Sequence, residues 1–152
     1  MEIQANKAYS ISIKTYLAAG GVAALIAIIL NNIYHLSYSA ITGVKVETVI
    51  NILTVSVATL IPLLLASLVY YALDKNTNKG TTIFIVLAIF LTIVSMGTMA
   101  VPVFPDRDAV PDGFYGLSLP MHFIAGGVAA AVIPAYVAYK EKQAQAKEHE
   151  HA

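Results

Sequence analysis

Four long segments without a single charged residue dominate this chain. They cover residues 15–44, 48–73, 80–105 and 113–139, and each is 26 to 30 residues long. An α-helix rises about 1.5 Å per residue, so about 20 apolar residues are enough to cross the roughly 30 Å hydrocarbon core of a bilayer. The strict alternation of apolar and polar positions that a membrane β-barrel needs is absent from these segments. The sequence therefore predicts an all-α membrane protein with four transmembrane helices.

Charge and cysteine content exclude several classes of protein. Only 12% of the residues are charged, and 9 Lys and Arg balance 9 Asp and Glu, so no nucleic-acid partner is predicted. The chain has no cysteine, which excludes disulfides and thiol redox chemistry. It contains neither a Walker-type glycine loop nor a Gly-x-Ser-x-Gly or His-Glu-x-x-His motif. We therefore expect a protein that is not an enzyme and binds no cofactor.

Local helix signals place the spans within a transmembrane domain of residues 15–139. The predicted spans are about 16–35, 48–73, 82–100 and 118–139, with tails at 1–14 and 140–152. Pro62 and Pro134 are expected to kink the second and fourth spans, and Ser118 is expected to cap the start of the fourth. A cleaved signal peptide is an alternative interpretation of the first apolar run.

The distribution of lysine and arginine predicts the orientation of the spans. Only Lys45 and Arg107 lie in the first and third loops, and the remaining seven of the 9 lie in the two tails and the middle loop. Cytoplasmic segments of membrane proteins collect these residues. The sequence therefore predicts an antiparallel four-helix transmembrane bundle, N-in/C-in, with the first and third loops outside.

One hexapeptide, Ala-Gly-Gly-Val-Ala-Ala, occurs at residues 19–24 and again at 125–130. Small residues spaced four apart let the backbones of two membrane helices approach closely. The candidate helix-packing residues are Gly20, Ala24, Gly126 and Ala130. We expect the first and fourth spans to pack together, and self-association through one of these faces is the alternative.

Several polar side chains lie in the outer halves of the predicted spans. Asn31 and His35 are four residues apart, as are Glu47 and Asn51, so each pair shares one face of a helix. His122 follows shortly after the predicted start of the fourth span. Polar groups are costly inside a membrane, and these five residues predict an outward-facing polar pocket. The alternative is that they form ordinary interhelical hydrogen bonds or face interfacial water.

A soft metal site is a weaker interpretation of the same region. Met96, Met99 and Met121 lie close in depth to His122, and thioethers with an imidazole would suit Cu(I). Methionine is also ordinary filler in apolar packing. We therefore predict no metal site.

Three parts of the sequence are similar to a known family. They are Asn31-Asn32-x-Tyr34 in the first span, the run LIPLLL at 60–65, and the start of the fourth span, LPMHFIAG at 119–126. Together with the hydropathy pattern they resemble a family of small bacterial four-span membrane proteins of unknown function, from which this chain departs at Pro120. The resemblance implies a bacterial inner-membrane protein, implies no substrate, and marks only His122 as a residue of interest.

Two functions are compatible with these observations. The first is an accessory or scaffold subunit, which presents helix faces to the lipid bilayer and to other membrane subunits or a second copy of itself. The alternative is a small-solute or proton-coupled transporter or sensor that uses the polar pocket around His122, because histidine titrates near neutral pH. We expect the scaffold, since no charged residue lies inside the spans.

Overall fold

The computed structural model describes residues 11–44, 50–98 and 112–151. Within these ranges all regular structure is helical: α1 (Ile13–Thr42), α2 (Ile52–Asn76), α3 (Gly80–Thr98) and α4 (Phe114–His151). Each helix is long and apolar enough to cross a membrane. The prediction of an all-α chain with four helices of membrane-spanning length is therefore confirmed.

Large apolar side chains stay exposed on every helix. Leu25, Leu53, Val86 and Phe123 each show more than half of their surface. Apolar surface in water costs about 25 cal/mol per Å², and a soluble monomer rarely exposes a large continuous apolar area. Hydrocarbon around the helices removes this cost, so the surface is compatible with a multi-pass membrane protein.

Local capping signals fix both ends of α1. Ser12 Oγ accepts a hydrogen bond from the backbone N–H of Lys14 at 3.2 Å. At the other end Gly43 adopts a left-handed conformation with φ of 71°, and its N–H donates to Ser39 O at 3.0 Å. The helix therefore runs seven residues past the expected end at His35, because the first residue that terminates it is Gly43.

The start of α2 is also fixed by a cap. Asn51 has an extended backbone, and its side chain accepts from the N–H of Thr54 while the Thr54 hydroxyl accepts from the Asn51 N–H. This reciprocal capping box satisfies two backbone donors. The helix begins at Ile52 rather than at residue 48, and it continues through Pro62.

The start of α4 differs from the sequence prediction. The helix begins at Phe114, so Ser118 lies inside it and donates its hydroxyl hydrogen to Phe114 O at 2.7 Å. The expectation that Ser118 caps this helix is therefore wrong. Gly113, with φ of 79°, precedes the helix. A Cβ on Gly113 would lie 3.0 Å from Val44 Cγ1, so both conformation and space require glycine here.

Pro120 lies in the second turn of α4 and has no N–H to donate to the carbonyl of Gly116, four residues earlier. The hydroxyl of Tyr34 on α1 donates to that carbonyl oxygen at 2.6 Å. A side chain of a neighbouring helix thus satisfies the backbone group that proline leaves unpaired, as is common in membrane helices.

Each of α1 and α3 packs against both α2 and α4, α2 also contacts α4, and α1 and α3 do not pack against each other in the described residues. The expected contact between the first and fourth spans is therefore present.

The two ends of the bundle are named for what lies there. At one end, Tyr16 of α1 donates to Asp74 Oδ2 of α2 at 2.6 Å; we call this the termini end. At the other, which we call the two-loop end, Tyr34 meets Gly116.

The first glycine of each hexapeptide lies at a close helix contact. A Cβ built on Gly20 would lie 2.7 Å from the Cβ of Ser67 on α2. A Cβ built on Gly126 would lie 2.8 Å from the Cβ of Thr92 on α3. The glycine contacts therefore join α1 to α2 and α3 to α4, rather than α1 to α4.

The other small residues of the hexapeptides occupy different environments. A Cβ on Gly21 or Gly127 would meet no atom within 4 Å. Ala24 is fully buried in the main apolar core, and Ala130 is half-buried. The same six-residue string thus faces a neighbouring helix through its first glycine and open space through its second.

Candidate functional site

A cleft of about 650 Å³ lies between α2, α3 and α4, and Asn31 is the residue that α1 contributes to its described lining. Along α2 the wall runs from Thr54 to Val69. At about 1.5 Å per residue this distance is about 22 Å, most of the roughly 30 Å thickness of a hydrocarbon core. The volume lies within the range of about 300–1,000 Å³ that is typical of ligand pockets.

The lining of the cleft is polar in one half and apolar in the other. Its polar residues lie toward the two-loop end: Asn31, Thr54, Thr59, Thr92, Ser95, Ser118 and His122. Toward the termini end the wall is apolar and includes Leu63, Val69 and Phe84. The cleft therefore matches a molecule with a long apolar body and a small polar group at one end.

Asn31 forms part of the wall of the polar half. Its side chain is 2% exposed, and its Nδ2 donates to Thr59 Oγ1 of α2 at 3.2 Å. Its Oδ1 is buried and has no hydrogen-bond partner among the described residues. A buried acceptor without a partner costs about 1–3 kcal/mol, so this oxygen marks a place where a donor would be stabilising.

One contact indicates which ring nitrogen of His122 carries a hydrogen. Its Nδ1 lies 3.0 Å from the carbonyl oxygen of Ser118. A carbonyl oxygen only accepts, so Nδ1 carries the hydrogen and donates it, and in the neutral ring Nε2 is then an acceptor. His122 lines the cleft, and in the described part of the chain no protein group is bonded to Nε2.

Two of the other predicted pocket residues, His35 and Asn51, are not part of the cleft wall. His35 is 5% exposed with an unpartnered Nδ1 in the described residues, but it does not line the cleft. Asn51 caps α2, and Glu47 lies outside the described residues. The structure therefore brings Asn31 and His122 to one cleft and leaves His35 and Asn51 out of its wall.

Of the candidate copper ligands, Met121 and His122 line the cleft, and Met96 of α3 does not. Met121 is buried beside Val55 and Leu117 and also lines the cleft, whereas Met99 lies outside the described residues. Among the residues that the structure describes, no group of three or more His, Asp or Glu side chains could hold a metal ion.

Thr59 is a cleft residue that the sequence analysis missed. A related pair was missed too: Asn32 Nδ2 donates to Ile28 O at 2.9 Å and to Ser56 Oγ at 3.3 Å. The signal was available, because two adjacent asparagines in an apolar span require partners on another helix. Ser56 and Thr59 are three residues apart and share a face of the second span.

Comparison with known proteins found no matching family model, no matching curated protein and no matching solved structure. The functional argument therefore depends on the chemistry of the chain's own residues.

Proposed function

We propose that the four helices form an antiparallel bundle in the cytoplasmic membrane of a bacterium, with both termini inside. The hydrogen bond from Tyr16 near the start of α1 to Asp74 near the end of α2 supports the antiparallel arrangement. The concentration of lysine in the tails and the middle loop supports the orientation. In this orientation the two-loop end of the bundle is the outer end.

We further propose that the protein is non-enzymatic and binds a small membrane-soluble molecule in the cleft between α2, α3 and α4. The observation that carries this proposal is the size of the cleft together with its polar and apolar halves. A molecule that fills the apolar half adds dispersion contacts to its walls and so stabilises the bundle. A pure scaffold function gives no role to this space or to the polar groups in its wall.

A binding or sensing site fits the helices better than a transport site does. Secondary transporters hold their substrates near the midplane with discontinuous helices. Here α2 continues through Pro62, and α4 continues through Pro134. The cleft also spans most of the bundle rather than a midplane point.

Native mass spectrometry of the full chain, extracted from its own membrane in a mild detergent, tests this function. Ala58 lines the cleft, so Ala58→Phe fills part of it; Ala131 is exposed on α4 away from the cleft, so Ala131→Phe is the matched control. We expect the wild type and Ala131→Phe to retain a small molecule that Ala58→Phe loses, while all three remain monodisperse.

Two results would overturn the binding function. The same bound molecules on all three variants would mean that they lie elsewhere on the surface. A stoichiometric second chain, with no retained small molecule on the wild type, would instead support the accessory or scaffold role.

A further inference from the structure

Three hydroxyl groups in the polar half of the cleft donate their hydrogens within their own helices. Thr92 donates to Ala88 O, Ser95 donates to Thr92 O, and Ser118 donates to Phe114 O, each at 2.7 Å. In each case the acceptor is a carbonyl of the same helix. A bond from a ligand to the Thr92 or Ser118 hydroxyl would therefore use a lone pair on the oxygen atom.

Asn31 and His122, the two lining residues with side-chain nitrogen atoms, also present acceptors. Asn31 uses Nδ2 in its bond to Thr59, which leaves Oδ1 unpartnered among the described residues. His122 uses the hydrogen on Nδ1 in its bond to Ser118 O, which leaves Nε2 as the acceptor of the neutral ring. A donor would satisfy each of these two acceptors, Asn31 Oδ1 and His122 Nε2.

The described lining of the cleft contains no Asp, Glu, Lys or Arg. An ion moved into such surroundings loses its hydration without gaining a charged partner, at a cost of several kcal/mol. A carboxylate or phosphate would also bring acceptor oxygens against the acceptors of the wall. An ammonium group would donate, but no described carboxylate of the lining would neutralise it.

We propose that the ligand of the cleft is an uncharged amphipath, namely a long aliphatic chain that ends in a hydroxyl group. The hydroxyl hydrogen is donated to Nε2 of His122, and the chain lies along the apolar half of the cleft between Leu63 and Phe84. This inference depends on the proposed binding function, because it names the chemical class of the molecule that the cleft binds.

The chain has no tryptophan, so one introduced indole is a unique fluorescent reporter. Leu91 lines the cleft and its neighbour Phe90 does not, although the two side chains are similarly exposed, at 52% and 58%. Leu91→Trp therefore reports the cleft, and Phe90→Trp is the control for contact with the surrounding lipid at the same depth. Both variants are reconstituted as full-length protein in phosphatidylcholine vesicles.

The probes are a mid-chain dibrominated long-chain alcohol, its methyl ether and the matching ionised carboxylate. Bromine quenches a tryptophan that it touches, so quenching measures occupancy. We expect the alcohol to quench Leu91→Trp with a dependence on concentration that saturates. Over the same range of concentration it should quench Phe90→Trp only weakly and linearly. The methyl ether, which has no hydrogen to donate, should require about two- to tenfold more probe, the effect of one hydrogen bond. The ionised carboxylate should require more again, because its charge finds no partner in the described wall.

A second variant tests the headgroup contact. Adding His122→Phe to Leu91→Trp removes the acceptor and keeps a ring in the cleft, so the alcohol should lose its advantage over the ether. If the alcohol and the ether bind equally and saturably in Leu91→Trp alone, or if the carboxylate binds best, the headgroup inference is wrong and the binding function stands. If no probe quenches Leu91→Trp more than Phe90→Trp, both proposals fail.

Discussion

Replacing Gly20 by alanine should weaken the contact between α1 and α2, whereas the same replacement at Gly21 should not. A Cβ at Gly20 would lie 2.6 Å from Ser67 Oγ and 3.1 Å from the carbonyl oxygen of Leu63. Neither atom yields easily, because the Ser67 hydroxyl donates to Leu64 O at 2.7 Å and the carbonyl belongs to the helix backbone. A Cβ at Gly21 would meet open space.

The magnitude follows from two opposing effects. Alanine in a helix interior is favoured over glycine by about 0.5–1 kcal/mol, and this gain is common to both variants. Forcing an extra methyl group into a packed contact costs about 1–3 kcal/mol, and only Gly20→Ala incurs it. We therefore expect Gly20→Ala to be less stable than Gly21→Ala by about 1–3 kcal/mol, and Gly21→Ala to equal or exceed the wild type.

Unfolding by SDS titration in dodecylmaltoside micelles measures this difference. Near-UV circular dichroism is a suitable signal, because the ring of Tyr16 packs against Tyr70 at 5.6 Å and Tyr71 at 5.1 Å between centroids, near the substituted residues. Equal midpoints for the two alanine variants would refute the close approach of α1 and α2. Adding Ser67→Gly to Gly20→Ala should recover part of the loss, because it removes the atoms nearest to the new methyl group.

Two further predictions use the same titration. Tyr34→Phe should lower the free energy of unfolding by about 0.5–1.5 kcal/mol, because the Gly116 carbonyl loses its donor. Tyr38→Phe is the control, because the Tyr38 ring also packs against Gly116, but among the described residues Tyr38 takes part in hydrogen bonding only through its backbone oxygen. Equal losses in the two variants would contradict this role of Tyr34. Asn51→Ala should lower the free energy of unfolding by about 0.5–2 kcal/mol, because it removes the cap that accepts from Thr54 N. Asn51→Ser should retain most of the stability. An Asn51→Ala midpoint equal to that of the wild type would rule out the cap.

The start of α4 shows how far local sequence signals reach. Ser118 before Pro120 has the pattern of a helix start, yet the helix begins at Phe114. The earlier start leaves the Gly116 carbonyl without its backbone donor, and this arrangement is stable because Tyr34 of α1 supplies the hydrogen. No local rule contains that contact, since 82 residues separate the two partners in the chain.

The candidate site shows a similar division. Asn31 and His122 stood out in the sequence because polar groups inside an apolar span are costly. Their membership of one cleft, and the exclusion of His35 and Asn51 from its wall, depend on how the helices rotate and pack. Asn51 was misassigned to a helical face because the predicted span began before the capping box, and the box instead makes it the N-cap.

The sequence by itself determined four apolar helices, because a charge at the centre of a membrane helix costs about 2.5–3.5 kcal/mol and 15–44, 48–73, 80–105 and 113–139 contain none. Only the tertiary structure decided which helices meet at each glycine. The hexapeptide is identical in α1 and α4, yet Gly20 faces Ser67 of α2 and Gly126 faces Thr92 of α3. A glycine permits close approach to any smooth surface, so its partner depends on the packing of the whole bundle, and the same packing leaves the cleft open.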